Sequence, residues 1–433
     1  MRLHAARPIR LAYTLTLGAL LLAACQVVTP TAPTPKAGAS SAARWTPDAV
    51  VSLTATAQSE PRASATGTPS DYHSFLPGMG SRPWTPTPSL EPPTATPSPL
   101  PIDPPPPPTP VWPEALAGLT QSKLGLHVVR NNDPYIMEFV RRAKPRVMKG
   151  VDDLGFLADI KQVSPGTVTV GRLNQANVIE HWPDSTDPGA AAAIFVDENL
   201  ETYLLNPQVD YWEGWNEFVT TEPDRWQWYA QFEASRACLM QAQGLRAAVG
   251  GFAAGTPEYS EMALFLPALE AAHRCGGIFT VHEAVYPIIG CGLAANQAGL
   301  IPGAPALRVP AGSLMLRYRF WYEGWLKPRG LGGLPLVISE LAVGGFQANS
   351  PCNGLGGSAW RLFQDWWVQQ GVGPDGPQSY VNILAWYDQE IRNDPYVLGV
   401  TIFTAGAIGD VTWSDYDLHD ALVPLAHYEV SQP

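Results

Sequence analysis

The pattern of apolar and polar positions divides the chain near residue 118. From there to the C-terminus, short apolar runs typical of buried strands alternate with longer stretches of helical periodicity. Eight runs have strand character, and they span residues 124–129, 146–151, 167–171, 209–217, 247–251, 278–282, 336–340 and 399–403. Eight such units in about 315 residues predict an α/β fold of the (β/α)8 or TIM-barrel type. A doubly wound open sheet is the alternative, but the segment from His127 to Asn132 lacks the glycines of a phosphate loop.

The chain before residue 118 has a different composition. Residues 26–117 are rich in Thr, Pro, Ser and Ala, and more than half of the 44 prolines fall before residue 114. Such a segment cannot bury enough apolar surface to offset the entropy lost on ordering, so it predicts a disordered linker. The folded domain is therefore expected over residues 118–433.

Residues 1–25 have the features of an export signal. A start with several arginines is followed by an apolar stretch, residues 11–24, that is too short to span a membrane comfortably. It ends in Leu22-Ala23-Ala24-Cys25, which resembles the bacterial lipoprotein box, in which the cysteine carries lipid. We therefore expect an exported protein, anchored through a lipid on Cys25 to the outer face of a bacterial membrane, at the cell surface or in the periplasm.

Two of the apolar runs end in a glutamate. The run 209–217 ends in Asn216 and Glu217, and the run 336–340 ends in Glu340. Catalytic groups of a barrel come from the carboxyl ends of its strands, so the two glutamates should face each other at one mouth. Two carboxyl groups about 5–5.5 Å apart form the catalytic pair of a retaining glycosidase. The sequence thus predicts a retaining glycoside hydrolase that acts on a poly- or oligosaccharide.

The same segments resemble the clan A superfamily of glycoside hydrolases, without pointing to one family within it. The matching segments are Trp215-Asn216-Glu217, His282 through Tyr286, and Ile338-Ser339-Glu340. The resemblance implies that Glu217 is the general acid/base and Glu340 the nucleophile. It also implies that Asn216 holds the sugar 2-hydroxyl and that Tyr286 contacts the nucleophile.

The chain departs from the clan pattern at two aromatic positions. Phe218 stands where a proline often follows the Asn-Glu pair, and Phe403 stands near the place where a tryptophan commonly ends strand eight. Trp413 is expected to supply the platform on which a sugar stacks. Trp182 is a further candidate for stacking, whereas Trp212 is expected to pack in the barrel wall.

Other polar residues at or near strand ends are candidates for the site. His282 is predicted to contact the sugar or the nucleophile, because no His/Asp cluster with metal-ligand spacing accompanies it. His127 and Lys149 are candidates for substrate contact, and a structural role is an equal alternative for each. Glu213 is interpreted as a buried structural carboxylate and Glu283 as a loop charge. No metal or other cofactor is predicted.

Four cysteines remain if Cys25 carries lipid, and export permits disulfides. Four cysteines allow three pairings. The predicted elements favour Cys238–Cys275, which would join consecutive helices. The second pair would then be Cys291–Cys352, which would join the loops after strands six and seven.

Charge limits the partners. The net charge of −12 excludes a duplex-binding protein, which needs a basic face. The expected partners are a carbohydrate substrate and a membrane reached through the lipid anchor, and a monomer is expected. Two other functions stay open: a non-catalytic lipoprotein that binds glycans on a barrel scaffold, and a hydrolase of peptidoglycan or another envelope polymer.

Overall fold

The computed structural model describes residues 110–174, 186–288, 293, 301–344 and 358–432. Within these residues eight strands form a closed barrel in chain order, and neighbouring strands are parallel throughout, including the closing pair of first and eighth. The strands are β1 Leu124–Val128, β2 Val147–Val151, β3 Val168–Arg172, β4 Tyr211–Glu213, β5 Ala247–Phe252, β6 Ile278–Val285, β7 Leu336–Val343 and β8 Val397–Ala405. The predicted (β/α)8 barrel is confirmed.

Helices follow the strands and cover the outside of the barrel. In the described part of the chain they are α1 Pro134–Ala143, α2 Phe156–Val163, α3 Pro188–Leu205, α4 Pro223–Ala242, α5 Tyr259–Arg274, α6 Tyr318–Trp321, α7 Gln364–Gln369, α8 Gly376–Arg392 and α9 Leu422–Val430. A π-helical turn, Tyr322–Leu326, continues α6. The sequence predicts a longer sixth helix from residue 313, and it does not predict α9.

Several helices begin with the same local chemistry. Asp133 accepts a hydrogen bond from the backbone N–H of Tyr135 and is followed by a proline at the first helical position. Asp187 and Asp375 cap α3 and α8 in the same way, each with a proline in the first turn. An aspartate cap satisfies an N–H that the helix leaves unpaired, and proline is already fixed in a helical φ. These caps fix where each helix leaves its loop.

The fourth strand is shorter than predicted, and a buried ion pair packs against its end. Glu233 and Arg236 of α4 are both 0% exposed, and Arg236 donates to the carbonyls of Trp212 and Ala248. A Cβ at Gly214 would lie only 2.7 Å from the Oε1 of Glu233. Glycine at this position therefore lets the pair lie directly under the turn that leaves β4.

Packed structure begins before residue 118. Trp112 makes an edge-to-face contact with Tyr135 of α1, with ring centroids 5.3 Å apart. The backbone N–H of Leu116 donates to the carbonyl of Arg142 at 2.9 Å. These contacts involve the last residues of the predicted linker, 110–117. Residues 1–109, including Cys25, lie outside the described part of the chain.

One predicted disulfide is present. Cys238 of α4 and Cys275, just after α5, are bonded, with Cα atoms 5.2 Å apart. This confirms the first predicted pair, and the contact of α4 with α5 explains it. Cys291 and Cys352 lie outside the described residues. No described helix has both the length and the apolar character needed to cross a membrane.

Candidate active site

Charged side chains converge inside the barrel because strand register places them at neighbouring levels. His127 of β1 pairs with Lys149 of β2, and His282 of β6 pairs with Glu340 of β7. The pairing of Val170 with Tyr211 puts Arg172 and Glu213 opposite each other two residues further on. Alternate residues of a strand face the same side, so polar residues at these positions point into the interior. Their list is His127, Lys149, Arg172, Glu213, His282 and Glu340.

The carboxylate of Glu340 is held through one oxygen. Its Oε1 accepts hydrogen bonds from the Nζ of Lys149 at 3.0 Å and the Nη1 of Arg172 at 2.7 Å. The Nε2 atoms of His127 and His282 lie 3.4 and 3.7 Å from the same oxygen. The Glu340 side chain is 14% exposed. The sequence predicts Glu340 at the end of its strand, but in the structure it lies within β7. The group that accepts these contacts is therefore held on a rigid strand.

Electrostatics favour an ionised Glu340. Burial alone would raise the pKa of its carboxyl, but His282, Lys149 and the other nitrogen-bearing side chains around it hold that pKa well below its usual range. Burial has the opposite effect on His127, whose pKa it lowers to about 4. His127 is therefore neutral near pH 7, and its Nδ1 lies 2.9 Å from the Oγ1 of Thr404. An ionised Glu340 beside a neutral His127 is the charge state that a carboxylate nucleophile needs.

A second carboxylate lies below the first. Glu213 is 3% exposed, and its Oε2 lies 2.7 Å from the Nζ of Lys149 and 3.9 Å from the Nη1 of Arg172. Burial would raise the pKa of Glu213, but Lys149 and Arg172 lower it to about 2. The prediction of a buried structural carboxylate fits this position. Lys149 is 0% exposed and bridges the two carboxylates from beneath.

Glu217 lies on a sharp turn at the mouth of the barrel. It follows the end of β4 by four residues, has a φ of 51°, and its N–H donates to the carbonyl of Gly251. A positive φ is uncommon for a residue with a side chain, and such conformations concentrate at functional sites. Its Oε1 lies 2.8 Å from the Nδ1 of His282, and its side chain is 44% exposed. One oxygen of Glu217, one oxygen of Glu340 and a ring nitrogen of His282 all lie within 4.8 Å of one another.

These three groups are also a possible set of metal ligands. Two carboxylate oxygens and an imidazole nitrogen suit several divalent ions. However, the Glu340 oxygen already contacts two basic side chains, Lys149 and Arg172. A divalent ion bound to that oxygen would be repelled by both cations, so the charges disfavour a metal here.

The carboxylates open into a cavity of about 360 Å³ with an aromatic wall. Trp413 is 40% exposed and meets the ring of Phe403 edge-on at 5.1 Å, and Tyr416 meets Phe403 at 5.3 Å. Polar groups face this wall, as expected of a site that takes a sugar through one apolar face and several hydroxyls. The lining comprises His127, Val129, Val151, Arg172, Asn174, Asn216, Glu217, Ala254, His282, Glu283, Ala284, Glu340, Ala342, Phe403, Trp413 and Tyr416.

The predicted binding residues fall into different places. Asn216, His282, His127 and Trp413 line the cavity. Lys149 lies beneath it and contacts carboxylates, which favours the structural alternative for this residue. Tyr286 is 5% exposed in the hydrophobic core and is not among the residues that line the cavity, and its contact with Glu340 stays a prediction. Trp182 lies outside the described residues.

The sequence interpretation missed Arg172 and misjudged Glu283. Arg172 donates to Glu340 and also contacts the Oδ1 of Asn216. It directly follows the apolar run 167–171, so the criterion that selected Glu340 would have found it. Glu283 is no loop charge: it lies in β6, is 3% exposed, and accepts the backbone N–H groups of Leu316 and Arg317. Glu283 thus joins the barrel to the segment before α6, and it also lines the cavity.

Comparisons with known proteins give remote structural similarities. No protein-family model matches the sequence, and no curated protein matches it either. The chain is similar to the endo-beta-1,4-mannanase from Thermotoga petrophila, with 13% identity, a TM-score of 0.40, and coverage of 72% of this chain and 76% of that one. It is also similar to a GH128 endo-beta-1,3-glucanase from Pseudomonas viridiflava, with 13% identity, a TM-score of 0.32, and coverage of 72% and 98%.

A third similar structure is the hyperthermophilic beta-glucosidase from Pyrococcus furiosus, with 11% identity, a TM-score of 0.31, and coverage of 62% of this chain and 74% of that one. All three of these proteins are glycoside hydrolases. With TM-scores of 0.40 or less, the similarities carry no argument about the chemistry of this chain, which has to come from its own side chains.

Proposed function

We propose that this protein is a retaining glycoside hydrolase with Glu340 as nucleophile and Glu217 as general acid/base. The observation that carries the proposal is the closeness of the two carboxylates, since one oxygen of Glu217 and one oxygen of Glu340 lie within 4.8 Å of each other. This spacing leaves no room for a water between the sugar and Glu340. An inverting enzyme needs roughly 6.5–9.5 Å between its carboxyl groups for that water.

In the first step, an oxygen of Glu340 attacks the anomeric carbon and forms an ester bond to it. The glycosidic bond breaks, and the leaving oxygen takes the proton of Glu217. Because the cationic contacts described above go to Oε1, we assign the attack to Oε2. The cations then stabilise the carboxylate without covering the attacking atom.

In the second step, water attacks the anomeric carbon of the glycosyl-enzyme. Glu217 accepts a proton from this water, the ester bond breaks, and Glu340 leaves as a carboxylate. Two inversions at one carbon retain its configuration. Asn216 and Trp413 line the cavity, and in this mechanism they hold the sugar through its hydroxyls and through its apolar face respectively.

The substitution Glu340→Gly tests this proposal. Residues 110–433 are assayed for release of reducing sugar from glucan, mannan, xylan, galactan and peptidoglycan, with Glu201→Gln, an exposed glutamate of α3, as the control. Glu340→Gly should lower the rate by several orders of magnitude, and azide should restore activity on an aryl glycoside and give the glycosyl azide of inverted anomer. An inverted product from the wild type, or an undiminished rate for Glu340→Gly, would refute the assignment.

The same panel separates the alternatives. Binding of a glycan without hydrolysis would indicate a non-catalytic glycan-binding protein, and release of peptidoglycan fragments alone would indicate an envelope hydrolase. The open cavity with an ionised Glu340 favours hydrolysis over binding alone, because binding needs no buried ionised carboxylate.

We also propose that the chain is exported and anchored through a lipid on Cys25. The proposal depends on the arginine-rich start, the short apolar stretch and the Leu22-Ala23-Ala24-Cys25 segment. Cys25→Ala should abolish incorporation of labelled palmitate and leave hydrolytic activity unchanged, because a long Pro/Thr/Ser-rich segment separates Cys25 from the barrel. Continued labelling of the Cys25→Ala variant would refute the anchor.

A further inference from the structure

We infer that Glu213 is a positioning residue that controls the balance between the two steps of the reaction, by keeping Lys149 and Arg172 electrically compensated when Glu340 loses its charge. The inference rests on the proposed function, since it assigns a role within that double displacement. Glu213 does not line the cavity, so it cannot act on the sugar directly. It acts through the cations that it shares with Glu340.

The observation behind the inference is a balanced set of four charges in the barrel interior. Lys149 lies 2.7 Å from Glu213 and 3.0 Å from Glu340, and Arg172 lies 3.9 Å from Glu213 and 2.7 Å from Glu340. Lys149 and Glu213 are almost completely buried, and Arg172 is 8% exposed. Two cations thus face two carboxylates. Because little solvent reaches these four side chains, a change in the charge of one of them is weakly screened.

Formation of the glycosyl-enzyme disturbs this balance. When Glu340 becomes an ester, it no longer carries a negative charge, whereas Lys149 and Arg172 keep theirs. With Glu213 present, the set then carries one excess positive charge instead of two. Glu213 therefore makes the intermediate accessible from the free enzyme, because two uncompensated cations in a buried site repel each other strongly.

Removal of Glu213 should have opposite effects on the two steps. In Glu213→Gln the free enzyme already carries one excess positive charge, and the intermediate carries two. Attack by Glu340 should slow, because in this variant the carboxylate of Glu340 is the one remaining negative charge among the four positions, and the attack removes it. Release of Glu340 from the ester should accelerate, because it returns that charge. A residue that merely supports the fold would slow both steps.

Lys149→Gln reverses the imbalance. Without Lys149, two carboxylates share Arg172, and ester formation removes the excess negative charge. Breakdown of the intermediate should therefore slow. The double variant Glu213→Gln/Lys149→Gln leaves one cation opposite Glu340 and restores the balance, so its ratio of the two rate constants should return toward that of the wild type. His282 contacts Glu340 in all variants, so its contribution cancels in the comparison.

The experiment measures each step separately on intact protein. The probes are the 2,4-dinitrophenyl 2-deoxy-2-fluoro-β-D-glycosides of glucose, mannose, galactose and xylose, which trap the glycosyl-enzyme. Mass spectrometry of the whole protein gives the rate of labelling and, after removal of excess probe, the rate of loss of the label. Glu213→Gln should be labelled about tenfold more slowly and lose its label about tenfold faster than the wild type.

The outcomes distinguish the inference from the proposed function. If the wild type takes up label and Glu213→Gln slows both steps, or changes neither, the inference is wrong and the glycosidase assignment stands. If the wild type neither takes up label from any of the four probes nor hydrolyses any polysaccharide of the panel, the proposed function fails and the inference fails with it. Should Glu213→Gln give no folded protein by circular dichroism, Lys149→Gln decides: a label lost as fast as in the wild type would overturn the inference.

Discussion

The stability of the barrel should depend on pH through Glu283, and the substitution Glu283→Gln should remove that dependence. Glu283 is 3% exposed in β6 and accepts hydrogen bonds from two backbone N–H groups, those of Leu316 and Arg317, and from the hydroxyl of Tyr387. Burial raises the pKa of Glu283 to about 7, against the opposing effect of these hydrogen bonds. The ordinary pKa of a glutamate in an unfolded chain is about 4.3–4.5.

The sign and size of the effect follow from the two pKa values. Between pH 4.5 and 7 the unfolded chain releases this proton while the folded chain keeps it, so the folded state loses stability as pH rises. The contribution is fully present below the unfolded pKa and is lost as pH passes the folded pKa. Each pKa unit corresponds to about 1.4 kcal/mol, so the loss between pH 5 and pH 8 amounts to about 2–3 kcal/mol.

Urea denaturation at pH 5 and pH 8 measures this difference for the wild type and for Glu283→Gln. The wild-type difference between the two pH values should exceed that of the variant by about 2–3 kcal/mol, because glutamine has no proton to release. Glu201→Gln, at an exposed position of α3, is the matched control and should behave like the wild type. Equal pH dependence in the wild type and Glu283→Gln would show that Glu283 is ionised in the folded barrel and would refute the reasoning.

Two further predictions concern the aromatic wall and the disulfide. Trp413→Ala removes a half-exposed ring that lines the cavity, and it should raise KM about tenfold with a smaller change in kcat, whereas Trp366→Ala, at a tryptophan of α7 that is not among the lining residues, should leave KM unchanged. An unchanged KM for Trp413→Ala would exclude this ring from the binding site. The pair of substitutions Cys238→Ser and Cys275→Ser opens a loop of sequence separation 37, and by chain entropy it should lower the free energy of unfolding by up to about 4 kcal/mol without changing kcat. A stability equal to that of the wild type would mean that the bond does not form in the protein.

The strands were predictable because each is a buried run flanked by polar residues, and a barrel hides both faces of every strand. Their carboxyl ends were less predictable. β6 continues three residues beyond His282 and β7 three residues beyond Glu340, because polar side chains that meet inside the barrel do not terminate a strand. In the sequence, each polar residue after an apolar run indicates the end of a strand. In the structure, these polar side chains form hydrogen bonds and ion pairs with one another inside the barrel, and the strand continues.

The contents of the site were predictable only in part for the same reason. Glu217, Glu340, Asn216 and His282 could be found one strand at a time, from a polar residue after an apolar run. Their partners depend on contacts between strands distant in sequence: Arg172 and Glu340 are 168 positions apart. Only the register of the closed barrel shows that Arg172 donates a hydrogen bond to Glu340, and no local sequence pattern contains this contact.

The two carboxylates of the site differ in exposure, and the difference suits their proposed roles. Glu340 is 14% exposed and fixed by cations through one oxygen, whereas the side chain of Glu217 is 44% exposed on a turn and contacts His282. A nucleophile has to stay ionised and aimed at one carbon, which favours enclosure within strands. An acid/base has to give a proton to the leaving group and recover one from water in each cycle, which favours an exposed position at the mouth. The proposed nucleophile thus lies on a rigid strand in the barrel interior, and the proposed acid/base lies on a solvent-facing turn.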